Sequence, residues 1–146
     1  MYDLAEEGIP VNLTVSLHAS SDEERERIMP VAKAYKIAEI LKACDNYFDK
    51  TGRRYIFEYS LIAGENADKE HAARLVSLLR GRPCHVNLIR LNEVKERHLR
   101  GISEKEAYRF LGELEKGGLS ATLRRRTGAD IGGACGQLRA SRLKEN

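Results

Sequence analysis

Two hydrophobic periods alternate along the chain. A period of two, typical of β-strands, occurs at 11–18 and 119–123. Strands are also predicted at 55–62, which is rich in aromatic and β-branched residues, and at 85–91. Between these segments, apolar residues recur every three or four positions, as on one face of an amphipathic helix. This pattern predicts helices over 37–51, 66–79 and 103–116, and a shorter helix after Ser21 that Pro30 ends.

The ends of the helices carry their own signals. Thr51-Gly52 is a typical helix end, and Ser103 with Glu106 forms a capping box. Asn66 is predicted to cap the helix that runs to about Leu79. Cys44 lies on the apolar stripe of its helix, so it is predicted to be a core residue.

The order strand, helix, strand, helix predicts an α/β fold in which parallel strands are joined by right-handed crossovers. About four such units are too few for a closed eight-stranded barrel, so they form an open sheet or a partial (β/α) barrel. The chain is expected to begin almost directly at the first strand, with no helix before it. That start suggests that a preceding half is missing.

Composition fits one folded domain. The chain has 146 residues, of which 42% are hydrophobic, and no apolar run approaches the ~18 residues of a membrane helix. Its acidic start lacks the apolar core of a signal peptide, which predicts a cytoplasmic protein. Cys44, Cys84 and Cys135 have no metal-ligand spacing and are expected to be reduced thiols.

Positive charge is concentrated at the end of the chain. The net charge is +3, and residues 119–146 carry six Lys or Arg against two acidic residues. Arg124, Arg125 and Arg126 are the densest part of this charge. A polyanionic partner would explain it, and a solvated tail would explain it equally well.

Candidate ligand-binding residues follow the strands. In parallel α/β folds, ligands bind beyond the carboxyl ends of strands, where Ser16, His18 and Asn92 are expected. Glu58 and Ser60 on the second strand could join them. The alternative is that His18 and Asn92 only shape turns. No role is predicted for the other three histidines, since His71 and His98 are expected to be exposed and His85 has no evident partner.

Cys135 lies in a glycine-rich loop, Gly128 to Arg139, after the last strand. Glycines allow unusual backbone conformations and the close approach of a large ligand to the sulfur. A reactive thiol and an inert glycine-rich loop are both consistent with this pattern. A Cys-His pair with His18, as in a small hydrolase, is a weaker possibility because no orienting third group is evident.

Five segments in order then resemble one known family. They are Val-Ser-Leu-His-Ala at 15–19, Ile-Met-Pro-Val at 28–31, Phe-Glu-Tyr at 57–59, Val-Asn-Leu-Ile at 86–89, and 130–138 ending in Ala-Cys-Gly-Gln-Leu. Together they resemble the C-terminal part of the RlmN/Cfr family of radical S-adenosylmethionine RNA methyltransferases. The resemblance runs from about residue 3 to about residue 140.

The resemblance implies both a fold and an activity. It implies half of a radical S-adenosylmethionine barrel over 1–126, followed by a catalytic-cysteine loop and basic tail over 127–146. Ser16, Leu17, His18 and Asn92 would contact S-adenosylmethionine, and Cys135 would carry an S-methylcysteine intermediate. Family members methylate an adenosine of large-subunit ribosomal RNA, at carbon 2 for RlmN types, which also act on some transfer RNAs, and at carbon 8 for Cfr types.

The chain also departs from the family. The cysteine motif that binds the family's 4Fe-4S cluster is absent, so no metal ligand is expected in this chain. We therefore expect the chain alone to be inactive, with the missing N-terminal half of the same enzyme as its partner. Dimerisation of the isolated chain is a further expectation. The alternative function is a non-catalytic RNA-binding α/β module that uses Arg124, Arg125 and Arg126.

Overall fold

The order of the strands in the sheet follows their order in the chain. The computed structural model describes residues 1–92 and 98–124, and within them four parallel strands lie in the order β1-β2-β3-β4. The strands are β1 Thr14–Ser16, β2 Tyr55–Leu61, β3 Cys84–Arg90 and β4 Ala121–Leu123. The predicted α/β class with parallel strands is confirmed. The first and last strands are shorter than predicted, and among the described residues each pairs with one neighbouring strand.

One helix precedes the first strand, and the others lie between successive strands. They are α1 Tyr2–Glu6, α2 Asp22–Ile28, α3 Ile37–Thr51, α4 Lys69–Leu79 and α5 Glu104–Lys116, with a 3-10 helix at Pro30–Lys33. The expectation that no helix precedes the first strand is wrong, since α1 packs against α3. An ion pair between Lys50 and Glu6, 2.8 Å apart, joins the two helices.

Most helix boundaries agree with the signals in the sequence. Ser21 and Ser103 accept hydrogen bonds at the starts of α2 and α5, as predicted. Gly52 ends α3 with a φ of 67°, a left-handed conformation that glycine adopts without steric cost. The predicted cap of α4 is wrong by two residues, because Asp68, and not Asn66, accepts from the backbone N–H of His71 at 2.8 Å.

One face of the sheet meets the apolar stripes of α3, α4 and α5. The strand residues on this face are fully or almost fully buried. They are Tyr55, Phe57, Tyr59, Leu61, Cys84, Val86 and Leu88. Cys44 of α3 belongs to the same core and is 0% exposed, which confirms its predicted place. The three helices thus exclude water from one side of the sheet.

The opposite face of the sheet is only partly buried. Its residues on the two central strands include Ile56, Glu58, Ser60, His85 and Asn87. Buried and half-buried positions therefore alternate along β2 and β3, which is the physical origin of the period of two in the sequence. Within the described residues, no helix has the length and apolar character needed to cross a membrane.

Candidate ligand site at the carboxyl ends of the strands

The segment Ser16 to His18 turns sharply where β1 ends. The backbone N–H groups of Leu17 and His18 both donate to the carbonyl oxygen of Glu58, at 3.0 and 3.2 Å. The regular ladder stops there, and His18 adopts a left-handed conformation with a φ of 60°. Such a conformation costs a non-glycine residue on the order of 1 kcal/mol and persists only where its surroundings hold it.

The side chain of His18 is held against the neighbouring strand. Its Nδ1 accepts a hydrogen bond from the backbone N–H of Ser60 at 3.0 Å. Burial first, and the charge of Arg25 second, lower the pKa of His18 to about 4. The ring is therefore neutral near pH 7, and because Nδ1 accepts, Nε2 carries the proton as a hydrogen-bond donor.

Asn66 ties the end of β1 to the end of β2. Its Nδ2 donates to the carbonyl oxygens of His18 and Ser60, each at 2.7 Å, and its Oδ1 accepts from the backbone N–H of Ile62 at 2.8 Å. Its own carbonyl oxygen accepts from the Tyr59 hydroxyl at 2.9 Å, and the residue is 0% exposed. The sequence suggested a helix cap for Asn66, and the structure makes it the buried support of the candidate site.

A row of polar side chains crosses the half-buried face of the sheet. Ser16, Glu58, Asn87 and Thr122 lie directly beside one another on β1, β2, β3 and β4. Hydroxyl, carboxylate and amide groups can bind the hydroxyl and amine groups of a small polar ligand. The predicted Glu58 and Ser60 belong to this face. Asn87 and Thr122 were missed, although their place in the alternation marks them as partners of Glu58.

Two histidines differ from their expected settings. His85 has partners after all, since its Nδ1 lies 2.8 Å from Ser120 Oγ and its Nε2 lies 2.9 Å from Thr122 Oγ1. The side chain of His71 is 13% exposed and joins Glu24 and Asp68 at 3.2 and 2.6 Å. Their partners come from other parts of the chain or from a cap, which local patterns do not reveal. His98 is exposed, as expected.

The remaining predicted site residues are placed unevenly. Leu17 is 0% exposed, so its side chain belongs to the core and its part in a ligand site would be to position its neighbours. Asn92 is partly buried just beyond β3, at the same edge of the sheet as His18, and Arg124 is exposed just beyond β4. Cys135, Arg125, Arg126 and the 127–146 segment lie outside the described residues.

Two relatives that are similar to this chain in sequence are named as RNA methyltransferases. No family model matches the chain. It is 51% identical over 142 residues, 97% of its length, to the probable dual-specificity RNA methyltransferase RlmN of Clostridium perfringens strain SM101. It is 50% identical over 145 residues to the protein of the same name from Thermoanaerobacter sp. strain X514. The chain belongs to the RlmN/Cfr family. It spans 41% and 42% of the length of these two relatives.

Two solved structures share the fold of this chain. A radical SAM methyltransferase from Sphaerobacter thermophilus superimposes with a TM-score of 0.89 at 43% identity, over 93% of this chain and 40% of that one. A domain of pyruvate-formate lyase-activating enzyme from Bacteroides vulgatus superimposes with a TM-score of 0.63 at 21% identity, over 77% of this chain and 66% of that one. The second likeness concerns the fold alone. The parallel sheet with helices on one face is thus shared with a methyltransferase of this class.

The donor groups of this RlmN/Cfr chain suit one of the two cofactors that the family implies. Cys44 and Cys84 are buried, and burial raises the pKa of the Cys44 thiol to about 12 and also raises that of Cys84. Among residues 1–92 and 98–124, no three His, Cys, Asp or Glu side chains cluster as metal ligands. The described residues therefore do not fit an iron-sulfur cluster. The polar row does fit the hydroxyl and amino groups of S-adenosylmethionine.

A groove of about 760 Å³ follows the edge of β1 that has no partner strand among residues 1–92 and 98–124. Leu13, Val15, Met29 and Tyr35 line it together with Ser16. Val31 also lines the groove, and it and Tyr35 are 54% and 60% exposed, so the groove presents apolar surface to solvent. This groove joins the polar face of the sheet to the edge at which a further strand could pair.

Proposed function

We propose that this chain is the C-terminal part of an enzyme that methylates carbon 2 of an adenosine in large-subunit ribosomal RNA, and also in transfer RNA. Similarity to RlmN relatives over 97% of the chain is the observation that carries the proposal. The arrangement of Ser16 and His18 at the end of β1, beside a polar row, supports it. The chain covers well under half of those relatives, so the activity belongs to the longer enzyme.

Ser16, His18 and Asn92 would hold S-adenosylmethionine at the carboxyl edge of the sheet. In this role the neutral His18 ring offers Nε2–H as a donor, while Ser60 holds the ring from the other side. Glu58 and Asn87 lie beside Ser16 in the polar row and would extend the contact. Leu17 would act through the core, by fixing the backbone between two contacting residues.

Cys135 would receive a methyl group and carry it as S-methylcysteine until it is transferred to the base. The bound cofactors supply the methyl group and the radical that activates it. An electron-poor adenine carbon is a poor nucleophile, so a route through a thioether on the protein suits this substrate. Arg124, Arg125 and Arg126 would bind the RNA backbone near that cysteine, since Lys and Arg neutralise phosphates.

The N-terminal portion of the enzyme would dock along the groove beside β1. Strand addition there would pair the free edge of β1, and the apolar side chains of the groove would be covered. That portion would also supply the cluster ligands. We therefore expect the 146-residue chain alone to be inactive, and its uncovered edge to favour dimers.

The test is to join this chain to the N-terminal portion of the Clostridium perfringens relative and to assay methyl transfer from labelled S-adenosylmethionine to ribosomal RNA. Cys135→Ala should abolish transfer while the affinity for RNA is retained. Cys44→Ala is the matched control, because that thiol is buried in the core and its raised pKa keeps it protonated. Digestion of the product to nucleosides distinguishes 2-methyladenosine from 8-methyladenosine.

Two results would overturn the proposal in different ways. Methyl transfer that is unchanged in Cys135→Ala would remove the proposed methyl carrier. A joined enzyme that binds RNA but transfers no methyl group would favour a non-catalytic RNA-binding module. In that case, replacing Arg124, Arg125 and Arg126 with Gln should abolish the binding.

A further inference from the structure

Arg25 is a charged residue inside the fold. It lies on the short helix α2, between β1 and α3, and it is 4% exposed. Arginine is seldom buried so completely unless its donors are paired. The donors of Arg25 must therefore be paired with acceptors inside the fold.

The guanidinium of Arg25 donates to three backbone carbonyl oxygens. Nε donates to Leu17 at 3.1 Å, and one terminal nitrogen donates to Ser16 at 3.2 Å. The other terminal nitrogen donates to Tyr35 at 2.9 Å, just before α3 begins. Two of these carbonyls are consecutive and lie where β1 leaves the sheet. The rigid fork of the guanidinium spans them, which the single ammonium of a lysine cannot do.

The position of Arg25 is itself fixed by its neighbour in the helix. Glu24 is 8% exposed and accepts from Arg74 at 3.0 Å, and it lies 3.2 Å from Nε2 of His71. Both partners belong to α4. Glu24 thus anchors α2 to α4. The next residue, Arg25, donates to the backbone carbonyl oxygens at the end of β1.

Arg25 also acts on His18 through its charge. The pKa of His18 is lowered first by burial and then by the positive charge of Arg25. A cation near the ring therefore adds to the preference for neutral imidazole, with a donor at Nε2. The same side chain sets the backbone path of Ser16 and Leu17 and contributes to the protonation state of the next residue.

We propose that Arg25 is a positioning residue, which holds the Ser16–His18 segment in the geometry that binds S-adenosylmethionine. This inference rests on the proposed role of that segment. Arg25 acts through backbone carbonyls and is not required to touch the ligand. The left-handed conformation of His18 is the feature that such support would maintain.

The test compares Arg25→Lys and Arg25→Met with Arg27→Met in the joined enzyme. Arg27 lies on the same helix, but its side chain is 60% exposed and pairs only loosely with Glu65, at 3.7 Å. Equilibrium dialysis would measure the affinity for S-adenosylmethionine, and filter binding would measure the affinity for RNA. At metal sites, losing a group that orients a metal-ligating residue costs roughly 10- to 100-fold in affinity. We expect a loss of that order for S-adenosylmethionine in both Arg25 variants, an unchanged affinity for RNA, and no change in Arg27→Met.

A purely structural role would look different. It would reduce the active fraction, and therefore kcat, while the KM for S-adenosylmethionine stayed the same. Arg25→Lys keeps the positive charge, so the inference stays testable if Arg25→Met does not fold. Wild-type affinity for S-adenosylmethionine in folded Arg25→Lys would overturn the inference.

Hydrogen exchange on the 146-residue chain separates this inference from the proposed function. In Arg25→Lys, the amides of Leu17 and His18 should lose protection while those of β3 keep theirs; equal protection would overturn the inference. If the wild-type joined enzyme does not bind S-adenosylmethionine, the proposed function fails, and the role of Arg25 in ligand binding fails with it.

Discussion

The two faces of the sheet differ in solvent exposure and in the kind of side chain that they carry. On β3, Leu88 is 0% exposed beneath the helices, while its neighbour Asn87 lies on the half-buried face beside Glu58. One face excludes water with aromatic and aliphatic side chains, and the other places carboxylate, amide and hydroxyl groups in a row. A stability defect should therefore come mostly from the first face, and a binding defect mostly from the second.

The largest difference in stability is expected when two adjacent residues of β3 are truncated in turn. Leu88→Ala should lower the free energy of unfolding by about 2–5 kcal/mol, because it removes buried methyl groups and leaves a cavity. Asn87→Ala should change it by less than about 1 kcal/mol. Urea denaturation of the two variants measures the difference. Equal losses would mean that the two faces are equally important to stability.

Asn66 tests whether the site end of the sheet depends on buried polar contacts. Asn66→Asp keeps the shape but loses the donors to His18 and Ser60, and it buries a carboxylate beside their carbonyl oxygens. We expect a loss of about 2–4 kcal/mol by denaturation, since each unpaired buried group costs about 1–3 kcal/mol. Asn46→Asp, on the half-exposed part of α3, is the control and should be nearly neutral. A neutral Asn66→Asp would contradict the role of this amide.

The contribution of His18 to stability is expected to depend on pH. Its folded pKa of about 4 lies below the unfolded value of about 6.5, so its contribution is complete above pH 6.5 and is lost as the pH falls toward 4. Asparagine tolerates a left-handed backbone, so His18→Asn should keep the fold and flatten the slope of the unfolding free energy against pH. For one proton, that slope cannot exceed about 1.4 kcal/mol per pH unit. Thermal unfolding between pH 4 and 7 measures it.

Other groups must be separated from this effect. Burial, and then the charge of Arg54, lower the pKa of His85, which adds to the slope in both proteins. Burial alone would raise the pKa of Glu24, but His71 and Arg74 lower it overall, so its contribution is lost only at more acidic pH. Parallel profiles for wild type and His18→Asn would show that His18 does not titrate in this range.

The smallest expected change in stability comes from Glu58→Gln. The substitution keeps the shape and the backbone contacts of Glu58, so the free energy of unfolding should change by less than about 0.5 kcal/mol. In the joined enzyme, affinity for S-adenosylmethionine should nevertheless fall several-fold, because the amide replaces a charged acceptor. Equilibrium dialysis measures this loss. Unchanged affinity would exclude the polar row from the ligand site.

Local sequence patterns predicted what local physics determines. Three predictions of this kind are confirmed: the strands β2 and β3, the core position of Cys44 and the capping box at Ser103. Each depends on residues a few positions away. The helix α1 was missed because five residues are too few for a hydrophobic period. The placement of the Ser16, Leu17, His18 and Asn92 ligand contacts stays a prediction.

The supporting residues of the site could not be predicted in the same way. Asn66 contacts His18 from 48 positions away, and His71 contacts Glu24 from 47 positions away. Such pairs form only after the crossover from β1 to β2 has brought distant turns together. The neighbours of Asn66 in sequence resembled a helix start, and Asp68, two residues later, took that role.

The sequential strand order has a consequence for how the chain is made. Among the four described strands, each new strand pairs with the one synthesised just before it, so none of these four must wait for a distant later segment. A growing chain on the ribosome can therefore extend its sheet one crossover at a time, and it exposes only one fresh edge at each stage. We expect β2, α4 and β3 to gain protection in pulse-labelled nascent chains before α5 has been translated.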